Sequence, residues 1–160
     1  MLPVVLVIFI LYAWFCIQVA LNLRCKLPLV VNFLLFMAVE VVLTNKLTIS
    51  GYNLKLFEIN RSIPHFIALI LHNDFTVTFV LLAFANIFLA TTKTSVRIGI
   101  TVYAFFLQLL LGMELRWNHV LIYQNWSYLN ESLMILLIML YTLFLGKIFH
   151  WMAEREGWSR

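Results

Sequence analysis

Charge is the scarcest commodity in this chain, and its scarcity excludes more than any motif does. Only 11% of the 160 residues are charged and 64% are apolar, whereas an average soluble domain is about 25% charged. Mean hydropathy is +0.98. A globule of this size hides only about two-thirds of the surface its unfolded chain exposes, so a soluble enzyme is excluded. Disorder is excluded too, because it requires few apolar residues. Glycine (5) and proline (3) are rare, so no glycine-rich phosphate loop, flexible linker or internal repeat is present. Of the two cysteines, Cys16 lies in an apolar run and Cys25 sits between Arg24 and Lys26. They form no metal, redox or disulfide pattern. His-Glu-x-x-His, Cys-x-x-Cys and Gly-x-Ser-x-Gly are also missing, and no cofactor is expected.

What remains is long apolar runs. A hydrocarbon core about 30 Å thick is crossed by roughly 20 helical residues. The runs Leu2–Leu21, Leu27–Thr44, Phe75–Ala90, Ile98–Leu115 and about Ser132–Met152 meet that length or approach it. The first lacks a preceding Lys or Arg and a following small-x-small cleavage site, so it reads as a retained span. The expected fold is all-α: one integral membrane bundle of about five transmembrane helices over residues 1–152, with a short charged cytoplasmic tail at 153–160. The stretch 63–90 reads in two ways. Ser62 and Pro64 mark a helix start, and His72-Asn73-Asp74 interrupts the apolar run. The favoured reading is an interfacial helix over residues 63–71 and then a shorter span with Asp74 at its N-terminus, where the helix dipole favours an acid. The other is one long tilted helix.

Net charge is +4, from 11 basic and 7 acidic side chains. In a membrane protein such an excess records topology and anionic lipid, and no nucleic-acid partner is expected. With five spans and an outer N-terminus, the cytoplasmic connections hold seven basic residues: Arg24, Lys26, Lys93, Arg97, Lys147, Arg155 and Arg160. The outer ones hold four, namely Lys46, Lys55, Arg61 and Arg116. The expected partners are the lipid bilayer and either another membrane protein or a second copy of the chain.

Glu40 is the sharpest single residue. A carboxylate within a span costs a few kcal/mol on insertion scales, so it must be paired, protonated or hydrated. The blander reading has it reaching the outer surface or pairing with Lys46 or Arg116. In the five-span topology His72, Asp74, Glu114 and His119 share the outer half with Glu40, and Glu131 flanks the same loop. Carboxylates with imidazoles suit a divalent transition metal, and carboxylates alone suit a harder cation or a proton. No two of them have ligand spacing on one helix, and helix ends gather such residues anyway. Gln18, Asn32, Asn86 and Gln108 fall one to a span and read as hydrogen-bonding glue between helices. Trp117, Tyr123, Trp126 and Tyr128 read as interfacial anchors.

The segment Leu56-Phe57-Glu58, with Asn86, His119, Trp126-Ser127-Tyr128 and Ser132, resembles small, functionally uncharacterised multi-pass membrane proteins of spore-forming Gram-positive bacteria. The resemblance implies a bacterial plasma membrane and carries no catalytic residue across. The chain departs from that pattern at His72-Asn73-Asp74, where the family carries Arg or Lys. Three function classes stay open. The first is a non-enzymatic membrane component or partner-binding subunit. The second is a proton- or cation-coupled transporter using Glu40 with Asp74 and Glu114. The third is an intramembrane enzyme acting on lipid through His119 and Glu114.

Overall fold

Apolar runs of this length satisfy their backbone polar groups internally only as helices, and five form: α1 Val4–Leu21, α2 Leu29–Asn53, α3 Ile63–Ala90, α4 Thr94–Trp117 and α5 Tyr128–Arg155. The structure is a computed structural model, described here for residues 4–23, 27–60 and 62–157. Arg24, Cys25, Lys26, Arg61 and Arg160, counted above, lie outside those residues. All five helices are long and apolar enough to cross a membrane. The chain is therefore a polytopic α-helical membrane protein.

The third span settles the ambiguity at residues 63–90 in favour of one long helix. Helical geometry is unbroken from Ile63 to Ala90, and no separate interfacial helix forms. The polar triplet widens the helix without ending it: Leu71–Val77 adopts π geometry. Two threonine hydroxyls follow that wider spacing, Thr76 donating to Leu71 O and Thr78 reaching Asn73 O, each at 3.2 Å. Asp74 consequently sits mid-helix and caps nothing. Ser62 and Pro64 do open α3. Ser132, by contrast, lies one turn inside α5, whose N-cap is Ser127, accepting from Asn130 N at 3.2 Å. At the other end α5 continues through Arg155, so residues 153–155 of the expected tail are helical and Ala153 is buried.

α3 is the hub. Half of its apolar window is buried, against 17–28% in the other spans. It packs against all four other helices. The central core joins Leu35, Val39 and Leu43 of α2 to Leu81, Phe84 and Ala85 of α3, with Ala104 of α4 and Ile135 and Met139 of α5. Large apolar side chains such as Phe33, Tyr103 and Phe144 stay exposed, as lipid-facing surfaces require.

A two-stranded antiparallel sheet, absent from the sequence reading, closes one end of the bundle. β1 (Phe57–Ile59) pairs with β2 (Leu121–Tyr123), with Glu58 opposite Ile122. Leu56 O accepts from both Gln124 N and Asn125 N, which fixes the register. Gly51 at the end of α2 lets the lid close, since a Cβ there would stand 2.9 Å from the Phe57 ring.

Candidate functional site

Beneath the sheet lies a partly open cavity of about 40 Å³, lined by Lys46, His72, Asn73, Gln108, Tyr123 and Glu131 among apolar residues. Each arrives for a local reason. The π segment of α3 turns both His72 and Asn73 inward, and both are buried. Gln108 projects from α4 and donates to Ala104 O on its own helix, so its carbonyl oxygen is left for the cavity. Lys46 and Glu131 come from α2 and α5 and pair at 2.9 Å, with side chains only 15% and 13% exposed. The second oxygen of Glu131 accepts from Trp126 Nε1 at 2.6 Å.

Two groups in this cavity stand out. His72 sets its ring edge-on to Phe9, with centroids 5.9 Å apart. Its Nδ1 is buried with no hydrogen-bond partner among the described residues. A cavity of this size and polarity admits water, which would complete that nitrogen. Tyr123, on the sheet, has its phenol held above the usual tyrosine range, chiefly by burial and also by the Glu131 charge, with Arg116 opposing. It is a neutral hydroxyl at ordinary pH.

Glu40 and Asp74 form a second, deeper group. α2 runs on to Asn53, so Glu40 lies 11 residues from one end of its helix and 13 from the other, near the middle of the helix. Asp74 lies 11 residues into α3, about 16 Å at the helical rise. The Thr78 hydroxyl donates to Glu40 Oε1 at 2.6 Å. Asn73 Nδ2 donates to Asp74 Oδ1 at 2.9 Å, and the two carboxylates are close enough to feel each other's charge. Both are half-buried, at the edges of outward-facing stripes: Phe33, Met37, Val41 and Thr44 on α2, Ile63, Ile67 and Ile70 on α3. Neither Lys46 nor Arg116 is the partner of Glu40. Lys46 is taken by Glu131, and Arg116 stacks on Tyr123 and Tyr128.

The remaining candidates go elsewhere. Glu114 accepts from Tyr12 Oη at 3.3 Å and from Asn118 Nδ2 at 3.1 Å, in the corner between α1 and α4. His119 is exposed on the turn after α4 and lines an outward cleft that does not include Glu114. The convergence of carboxylates and imidazoles expected from topology is thus divided among four places. Among the described residues no three His, Cys, Asp or Glu side chains are grouped as a metal would need. Sequence reasoning missed the sheet, the cavity, and the parts of Asn73 and Tyr123 in it. The signal was there for Lys46 and Glu131, opposite charges near the same end of two spans. Compared with family models, curated proteins and solved structures, the chain matches none.

Proposed function

We propose that this protein is a non-enzymatic membrane component that works as a partner-binding subunit, docking another membrane chain beside Glu40 and Asp74. One observation carries the reading: both carboxylates lie within their spans, only partly buried beside exposed apolar stripes, and among the described residues neither pairs with a cation. On insertion scales each lipid-exposed carboxylate costs about 2.5–3.5 kcal/mol, and a helix bringing a basic or hydroxyl side chain to that depth removes the cost. The basic-residue distribution and the resemblance to small multi-pass proteins support a bacterial plasma membrane with the N-terminus outside. The test is purification in mild detergent. Wild type should retain a second membrane protein, and Glu40→Gln with Asp74→Asn should release it. A clean monomer from wild type, or a complex indifferent to both substitutions, overturns the reading.

Proton- or cation-coupled transport is the second reading, favoured by a different observation. The floor of the polar cavity includes Asn73, which hydrogen-bonds Asp74, so the cavity and the carboxylates are adjacent stations along α3. Reconstituted in liposomes, a transporter would carry flux that Glu40→Gln abolishes. Absence of flux in wild type removes this reading and leaves the first untouched.

A further inference from the structure

The outward cleft at the end of α4 lies on the other side of Leu121 and Tyr123 from the cavity, sharing those two residues with it, and includes neither Glu40 nor Asp74. It is open, about 480 Å³, and lined by Arg116, Trp117, His119, Leu121, Ile122 and Tyr123. No carboxylate belongs to that lining, and its polar side chains are rich in hydrogen-bond donors. The Arg116 guanidinium carbon lies 4.8 Å from the Tyr128 ring centroid and 5.3 Å from that of Tyr123. Stacking orients a guanidinium while leaving its in-plane N–H groups free. Among the described residues Arg116 has no hydrogen bond or ion pair from its side chain, and it is only partly exposed. It is a cation held in place by aromatic faces and left with its donors unused.

The turn that follows supports the same chemistry. His119 has φ +52°, a region that costs a non-glycine residue energy and requires outside support. Asn60 Nδ2 supplies that support by donating to His119 O at 3.2 Å, and the imidazole is left exposed. A helix C-terminus ordinarily repels anions through its free carbonyls. Here the last turn is occupied: Glu114 O, Leu115 O and Arg116 O accept from Asn118 N, Val120 N and His119 N. Ile122, 47% exposed, adds an apolar edge at the level where the span ends.

We propose that this cleft is a phosphate-binding site at the membrane surface. Arg116 is its principal donor, His119 and Trp117 Nε1 are auxiliary donors, and Ile122 lies against the apolar part of the ligand. The same chemistry serves a phospholipid headgroup or a soluble phosphate, and two arms distinguish them. In the first, native mass spectrometry of the full chain in detergent compares retention of phosphatidic acid with that of diacylglycerol of identical tails. In the second, calorimetry titrates inorganic phosphate and glycerol 3-phosphate. A charge-assisted contact of this kind predicts about a tenfold preference for the phosphorylated lipid. The preference should vanish in Arg116→Gln and be reduced in Arg116→Lys, which keeps the charge but not the stacked plane. His119→Gln, at an exposed side chain the fold does not need, should weaken it partially. Binding of soluble phosphate at least as tight as the lipid, lost in Arg116→Gln, upholds the site and assigns it to a soluble ligand. Equal retention of both lipids by wild type with no soluble binding overturns the proposal, as does a preference unchanged in Arg116→Gln and His119→Gln. Neither outcome bears on partner docking at Glu40 and Asp74.

Discussion

Asn86 shows what a single polar side chain does inside a bundle with no water to lean on. Its Oδ1 accepts from Leu27 N at 2.7 Å and from Asn32 Nδ2 at 3.3 Å. Its Nδ2 donates to Asn32 Oδ1 and to Leu82 O, both at 2.7 Å. The amide therefore ties the segment entering α2 to the buried face of α3 with all its bonding capacity used. Replacing it with leucine keeps the volume and strands the Leu27 N–H and Asn32 Oδ1, while Asn32 Nδ2 keeps Leu27 O. Asn86→Leu should lower stability by about 1–3 kcal/mol, read as a fall in thermal midpoint in detergent, while Asn32→Leu should cost less because Leu27 N keeps its acceptor. Equal stability of Asn86→Leu and wild type would show that the unmade bonds find other partners. Of the four amides read from sequence as glue, only this pair bridges two helices among the described residues. The Gln108 amide bonds within its own helix and lines the cavity, and the side chain of Gln18 makes no bond to another helix among those described.

At the scale of elements the π segment of α3 is decisive. A π turn holds one residue more than an α turn, so it rotates the following half of the helix relative to the preceding half. The rotation lets His72, Asn73 and Thr76 face inward while Leu81, Phe84 and Ala85 still meet the central core. Deleting Phe75, an exposed residue, removes that extra residue, so the helix should return to α geometry with the Thr78–Ala90 half keeping its face, and the protein should keep its monodisperse folded peak on size exclusion. Inserting one alanine after Val77 should instead turn that half by about 100°, take Leu81 and Phe84 out of their contacts and abolish the peak. An insertion variant as well folded as wild type would refute the role given to the π turn. The sheet acts at the same scale. Phe57 of β1, packed on Tyr123 and Trp126, roofs the cavity with strands too short to stand alone.

For the molecule as a whole, an odd number of spans sends the two ends to opposite faces, and the sheet, the cavity and the phosphate cleft all belong to one of them. Reporter tags at the two termini should register on opposite sides of the membrane, the C-terminal one in the cytoplasm. Both tags on one side would remove the five-span arrangement and the orientation drawn from it. The same view explains why so much apolar surface is left uncovered: lipid, not the chain's own core, solvates it, and packing among helices comes from close contact and a few hydrogen bonds.

Apolar run length and the scarcity of charge determined by themselves that this is an α-helical bundle of five spans, because the bilayer sets the length of a span and forbids unpaired backbone. The start of α3 at Ser62-Pro64 was legible for a similar reason, being local chemistry. Tertiary structure alone decided that α3 is continuous, that Lys46 meets Glu131 and not Glu40, and that His72, Asp74, Glu114 and His119 part company. Those outcomes depend on how helices rotate about their axes and which flanks they present to one another. That is a property of packing between segments distant in sequence, and no single run of residues encodes it.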